Sequence, residues 1–405
     1  MTTPRRTVLH GAQVIDGTGA PAAPADVVVE DGRIVDVGPG LDGDDGVDLA
    51  GLTLLPGFID CHVHLVFSGV DPQRMLHEPF SYQFYAAARN MAATLATGVT
   101  TVRDAGGADL GMKQALADGL IAGPRLLTAV TLLGQTGGHT DGWCASGGTV
   151  PLLQPHPGRP PMIVDGPDEM RRRVRELVRA GADVIKICTS GGVLSPRDDP
   201  RHAHFSAEEL DICVAEAAAA GLGVMAHAQA ASGVKNAVRA GVRSVEHGVF
   251  LDDEAIDLLR DTGTWLVPTL LAGRAVVRAA AAGTQLPDAV VAKAHAAVAE
   301  HHNSIARAVA AGVRIAMGTD SGVFPHGDNL AELPLLRDTG LSPLQVITAA
   351  TSAGAQVLGI ADTVGTVQPG KVADLVCVRG DPLDLTDYRD RVVQVWQGGR
   401  RRVDV

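Results

Sequence analysis

The sequence predicts an α/β fold, a (β/α)8 barrel of the TIM type with a small β-sandwich domain formed from both chain termini. Three observations carry this expectation. Through the middle of the chain, short apolar strands alternate with longer Ala-rich amphipathic segments, as βα repeats require. Eight such strands can be counted, the number a closed barrel needs. The two ends of the chain lack long helical patterns and read as short strands and tight turns instead.

In the head, Val27-Val28-Val29 and Ile34-Val35-Asp36-Val37 flank Asp31-Gly32, a two-residue hairpin turn. The tail repeats this texture, with strands over 373–378 and 392–396 and a turn at Gly398-Gly399. Residues 1–55 and 366–405 are therefore expected to make one composite β-sandwich, and 56–365 the barrel. The barrel strands should end near His62, Asp104, Val130, Lys186, His227, His247, Thr269 and Asp320. Helices are expected over 81–96, 167–180, 206–219, 252–262, 287–311 and 343–358. Ser206 with Glu209 forms a capping box, and Gly181 and Gly221 sit just past helix ends. The stretch 131–164 is rich in Gly, Pro and Thr without periodicity, and a loop of that length is expected to act as a lid or substrate loop.

Composition narrows the function classes. The 405 residues are 46% hydrophobic and 20% charged, which suits a compact core, and only 3% aromatic, so that core is expected to rest on Val, Leu, Ile and Ala. A net charge of −12 argues against nucleic acid as a partner, since phosphates demand a basic face. No run approaches the roughly 20 apolar residues that span a bilayer, so no membrane partner is expected. The opening Met1-Thr2-Thr3-Pro4-Arg5-Arg6 is not followed by the apolar run of a signal peptide. Five scattered cysteines without Cys-x-x-Cys spacing suit a reducing compartment, and a cytoplasmic location is expected.

The chemistry is concentrated at strand ends. In Gly57-Phe58-Ile59-Asp60-Cys61-His62-Val63-His64, alternation along a strand sends His62 and His64 to one side, where they can grip one ion. Taken alone, the pair could equally be two core histidines. Further strands end in Lys186, His227, His247 and Asp320, and parallel strands of a barrel deliver their C-terminal ends to one mouth. Imidazoles and carboxylates suit Zn²⁺ or a similar divalent ion. A lysine is costly to bury; its amine can take up CO₂ to become a carbamate, form a salt bridge, or act as a Schiff-base nucleophile. A divalent ion would make a hydroxide available at neutral pH, and Asp320 could carry the proton to a leaving amine. Cys61 should face away from His62 and Cys188 should share the face of Lys186; small buried residues are their expected role.

From end to end the chain resembles the amidohydrolase superfamily: His62-x-His64, Lys186, His227, His247 and Asp320 fall in order on its strand-one, four, five, six and eight positions. Within it, 186–193, 245–248, Gly318-Thr319-Asp320-Ser321-Gly322 and Pro325-His326-Gly327-Asp328-Asn329 look like the Xaa-Pro dipeptidase (prolidase) and imidazolonepropionase-like group. The resemblance implies a binuclear centre of two Zn²⁺ bridged by carboxylated Lys186, cleavage of a small amide or dipeptide, and a homo-oligomer. His139, in Gly137-Gly138-His139, matches a histidine that lies near the substrate's scissile or carboxylate group and is expected to share catalysis with Asp320. Many relatives carry Tyr or His two residues after the strand-five ligand, where this chain has Gln229. Gln229, Arg103 and His326 are further expected substrate contacts, with Arg197, Arg201 and His202 as alternatives for a carboxylate. The same centre could serve a lactonase or phosphotriesterase. A deaminase or cyclic amidine hydrolase is a weaker alternative, because the deaminases' His-x-x-Glu ends here in Ala230.

Overall fold

The computed structural model describes residues 5–69, 77–195 and 197–404; the opening Met1-Thr2-Thr3-Pro4 lies outside the described residues. Strands β1 (Thr7–Val14), β2 (Ala23–Glu30), β3 (Arg33–Gly38), β4 (Asp45–Asp48) and β5 (Leu52–Pro56) come first. The middle of the chain carries β6 (Phe58–Val63), β7 (Val99–Asp104), β8 (Arg125–Thr128), β9 (Leu132–Leu133), β10 (Val184–Cys188), β11 (Gly223–Ala230), β12 (Ser244–Phe250) and β13 (Trp265–Val267). At the end stand β14 (Leu375–Arg379), β15 (Val392–Gln397) and β16 (Arg400–Asp404).

Head and tail share one sheet of order β16-β15-β14-β5-β1-β2-β3, with β4 pairing β1. The join is the antiparallel pair β14 and β5, in which Val376 faces Leu55. Asp31 (φ 49°) and Gly32 (φ 77°) make the β2–β3 turn in the left-handed conformation that a two-residue hairpin needs. Hydrogen bonding runs through all eight strands as a single sheet, around a core of its own that includes Leu9, Val27, Ile34, Leu54, Leu375 and Trp396.

The middle strands form two parallel sheets, β6-β7-β8 and β9-β10-β11-β12-β13. They are linked at both edges. At one, the Asp183 amide donates to the Thr128 carbonyl (2.8 Å), joining β8 to the start of β10. At the other, segment 313–321 makes parallel bridges Leu266↔Ile315 and Val63↔Ser321, joining β13 to β6. Where an unbroken third strand was expected to end near Val130, the backbone turns left-handed (φ 64°) and pairing resumes at β9, which bonds to β10.

The helices are α1 (Tyr82–Ala96), α2 (Leu110–Ala117), α3 (Pro167–Arg179), α4 (Ala207–Ala219), α5 (Ala231–Ala240), α6 (Asp253–Thr262), α7 (Leu270–Ala281), α8 (Asp288–Ala310), α9 (Glu332–Asp338), α10 (Pro343–Ala349) and α11 (Ser352–Leu358). The Ser206–Glu209 capping box opens α4 with both of its reciprocal bonds. The single helix expected over 343–358 is two, because the Ala350 carbonyl accepts from the Ile59 amide (2.8 Å) at the foot of β6 and Thr351 leaves helical geometry. Among the described residues no helix is long and apolar enough to cross a membrane.

Candidate metal centre

The residues expected at strand ends meet in space. His62 lies within β6 and His64 one residue beyond it, so their rings stand 5.5 Å apart. His247 brings its ring to 5.1 Å from His62, and His227 reaches 4.6 Å from His247. Asp320 Oδ1 lies 3.5 Å from His62 Nε2 and 3.3 Å from His64 Nε2. One ligand atom each from His62, His247 and Asp320 falls within 4.8 Å of the others, a spacing at which a single ion could be shared. Lys186 is 1% exposed, and neither its Nζ nor Asp320 Oδ1 has a hydrogen-bond partner among the described residues. Unpartnered buried polar atoms are expensive, so these two point to a missing partner. Together with the imidazoles they fit a divalent cation.

Electrostatics follow from burial. Desolvation, followed by the Lys186 ammonium, drives His62 well below the usual imidazole range, and burial does the same for His227 and His247. These rings are therefore neutral, as ligands must be. His64 is the exception: burial opposes its charge, but the Asp320 carboxylate outweighs it and raises the pKa. Burial would also raise Asp320, yet His64 and Lys186 hold its carboxyl far below the ordinary range. The Lys186 amine is lowered, chiefly by burial.

Several groups not singled out from the sequence hold these side chains. Glu246 is fully buried; it accepts from His62 Nδ1 (2.8 Å), Arg103 Nη2 (2.9 Å) and the Ser244 hydroxyl (2.6 Å). Strict alternation along β12 would send Glu246 and His247 to opposite faces, but a left-handed backbone at His247 (φ 75°) lets both serve the cluster. The other ring nitrogen of His64 bonds the Gly106 carbonyl (2.8 Å), and that of His247 meets Thr269 Oγ1 (2.7 Å), fixing both rings. His301, from α8, reaches the His247 carbonyl (2.9 Å), and its pKa is pushed down to about 4 by burial. Asp60 accepts from the Thr319 hydroxyl (2.6 Å) and Asn329 Nδ2 (2.8 Å), tying β6 to the loop that carries Asp320.

The model of the amidohydrolase family matches residues 53–402, from β5 to β16. This chain belongs to the amidohydrolase family. The amidohydrolase is 33% identical to an ochratoxinase from Aspergillus niger, over 97% of this chain and 86% of that protein. It is 29% identical to an imidazolonepropionase from Micrococcus luteus, over 96% of each. Among solved structures it superimposes on a Xaa-Pro dipeptidase with methionine bound in its active site, at a TM-score of 0.90 and 33% identity, covering 98% of this chain and 100% of that one. It is a hydrolase acting on carbon–nitrogen bonds.

The expected substrate contacts of the amidohydrolase divide. His139, in the long loop, stacks on His227 with ring centres 4.3 Å apart and planes at 16°. The ends of that loop are pinned by Gly134 N to the Met162 carbonyl (3.0 Å) and Val164 N to the Gly134 carbonyl (2.9 Å). Gln229 shares the His227 face of β11 and is buried with Oε1 unpartnered among the described residues. Arg103 does not reach out to a substrate: 1% exposed, it donates to the Cys61 carbonyl (2.6 Å), Ser244 Oγ (3.1 Å) and Glu246. His326 is likewise turned inward, against Thr94 Oγ1 (3.2 Å) and the His64 carbonyl (3.1 Å), and burial pushes its pKa down to about 4. Both are braces of the ligand strands. The alternatives lie outside: Arg197 stacks over Trp143 and Arg201 over Phe250.

Proposed function

We propose that this amidohydrolase is a metal-dependent amidase that cleaves a small amide, either a Xaa-Pro-type dipeptide or an N-acyl amino acid. The parallel strands and their two edge links support a closed (β/α)8 barrel over 56–365, and the common sheet of head and tail supports a composite β-sandwich of 1–55 and 366–405. The single observation that carries the reading is the pair of buried atoms without a hydrogen bond among the described residues, Lys186 Nζ and Asp320 Oδ1, set among His62, His64, His227 and His247. His62, His64, His227, His247 and Asp320 would hold two divalent ions, probed first as Zn²⁺, with Lys186 carboxylated to bridge them. A bound ion of this kind supplies Lewis acidity and a nucleophile at neutral pH.

The side chains around it divide the remaining work. Asp320, kept ionised by His64, takes the proton of the attacking water at its carboxylate and returns it to the leaving nitrogen. His139, at the edge of the cluster, is placed to lie near the scissile amide or a substrate carboxylate. Gln229 offers an unpartnered oxygen to substrate N–H groups. The likeness to a Xaa-Pro dipeptidase favours the dipeptide and that to an ochratoxinase favours the N-acyl amino acid, and both stand at 33% identity.

The test is a turnover screen of the metal-replete protein. It covers Xaa-Pro and Xaa-Arg/Lys dipeptides, N-acyl amino acids including aromatic amides and ochratoxin, cyclic amidines, lactones and phosphotriesters. Hydrolysis of an acyclic amide is the expected result; turnover confined to lactones and phosphotriesters would overturn the proposal.

A further inference from the structure

Lys293 is a cation the proposed chemistry does not use. It lies on α8, and its Nζ is folded under the loop that follows β10, not turned to solvent. There it donates to three backbone carbonyls, Gly192 (2.8 Å), Ser195 (2.6 Å) and Asp198 (2.7 Å), and lies 3.3 Å from Asp198 Oδ1. An ammonium has three donors and no acceptor, so this is its full complement. The Asp198 side chain is 2% exposed and receives the Gly192 amide (2.9 Å) and the Ser195 hydroxyl. Burial would raise that carboxyl, yet His139, Ser195 and Lys293 hold it down to about 2.

Ser195 then decides the state of His139. Its Oγ lies 2.7 Å from His139 Nδ1. An ionised carboxylate can only accept, so the serine proton points at Asp198, and Ser195 Oγ must accept from His139. That places a proton on His139 Nδ1, so the lone pair of the neutral ring is on Nε2. The ring's position is fixed as well: it stacks on His227, and Gly192 lies so near that a Cβ there would sit 2.2 Å from His139 Cε1.

We infer that Lys293, Asp198 and Ser195 are positioning residues that fix the tautomer and placement of His139 over His227. A helix on the far side of the loop thereby sets which nitrogen of the long-loop histidine a substrate meets. The catalytic consequence rests on the amidase reading, but the tautomer does not.

The test is ¹⁵N imidazole NMR of the protein loaded with Zn²⁺, a diamagnetic ion, with His139 assigned by the signals lost in His139→Gln. Wild type should show a protonated Nδ1 and an unprotonated Nε2. Lys293→Met should release the loop and mix the tautomers, with faster amide exchange over 190–203. Ser195→Ala should mix the tautomers while leaving that exchange unchanged. Should Lys293→Met not fold, Lys293→Gln, which keeps a donor but drops the charge beside Asp198, reads the same signals. With an amide substrate in hand, kcat should fall at least about tenfold in each variant with KM within about threefold, as expected when orientation and not binding is lost. An Nε2–H tautomer in wild type, or an unaltered tautomer in either variant, would overturn the inference. No substrate enters the spectra, so failure of every amide would overturn the proposed function without touching this result.

Discussion

Removing the Arg103 guanidinium tests whether that residue is a brace or a substrate contact. Its side chain is 2% exposed and that of Glu246 is fully buried, with Nη2 2.9 Å from Oε1. Two further donations, to the Cys61 carbonyl and Ser244 Oγ, complete the fork. In Arg103→Met the Glu246 carboxylate stays buried beside His62 without its cation. Breaking a buried pair from one side costs about 3–5 kcal/mol. The orphaned Cys61 carbonyl adds about 1 kcal/mol. Against a typical domain stability of about 5–15 kcal/mol this is a large fraction. Urea unfolding followed by far-UV circular dichroism should show a loss of about 4–6 kcal/mol. The double variant Arg103→Met/Glu246→Gln should recover at least about 1.5 kcal/mol, because the uncompensated charge is gone. A side chain that binds a substrate carboxylate behaves otherwise, raising KM while leaving stability alone. Arg103→Met within about 1 kcal/mol of wild type would refute the reasoning.

Four other outcomes follow from the same geometry. Asp320→Asn should keep most of its bound metal, measured by elemental analysis, while kcat falls by roughly 10³-fold or more, as for loss of an essential proton carrier. Lys186→Ala should lower the metal content itself; an unchanged metal-to-protein ratio would remove Lys186 from the centre. Gly192→Ala places a Cβ against the His139 ring, so activity should drop at constant metal content, and wild-type rates would show that the ring's position is immaterial. The folded pKa of His326 is lowered to about 4, so between pH 4 and 6.5 the unfolded chain binds its proton and the folded one does not. Its contribution is thus fully present above about pH 6.5 and lost as pH falls, and His326→Gln should flatten the stability–pH slope by up to ~1.4 kcal/mol per pH unit. Equal slopes in urea titrations of the two proteins would contradict that assignment.

The His-x-His pair, the histidines of β11 and β12 and the Asp31-Gly32 turn were legible because each depends on local periodicity. What stayed hidden depends on partners distant in sequence. Arg103 reads as a free charge until Glu246, 143 residues away, is placed beside it. Glu246 itself is masked by His247, since alternation allows only one of two neighbours to face inward and the sequence does not announce a left-handed residue. Helix α5 is not among the helices expected from the sequence; within it Gly233 allows close approach, as a Cβ there would stand 2.6 Å from the Thr189 carbonyl. Segment 313–321, expected as the eighth strand, makes only isolated bridges among the described residues. Its Gly318 is pressed between Val267 and His62, where a Cβ would lie 2.3 Å from the valine.

Backbone strain marks the same places as the chemistry. His247 (φ 75°), within β12, Thr269 (φ 55°), just past β13, and Asp320 (φ 60°), in segment 313–321, all adopt the left-handed conformation. Each such residue costs about 1–3 kcal/mol and persists only where its surroundings over-determine it. The surroundings here do so by name. Thr269 Oγ1 bonds His247 Nδ1, His301 bonds the His247 carbonyl, and the Asp320 amide donates to the His62 carbonyl (2.7 Å). Beyond Thr269, the first amides of α7, at Leu270 (2.7 Å) and Leu271 (2.8 Å), donate to the carboxylate of Glu332. Burial raises the Glu332 pKa well above its ordinary value; the two amide donors and the helix N-terminus work the other way. A regular strand end would present alternate residues only. By leaving the β region at these three points, the chain turns His247 and Asp320 toward His62, and buried groups drawn from α8 and α9 hold the backbone there.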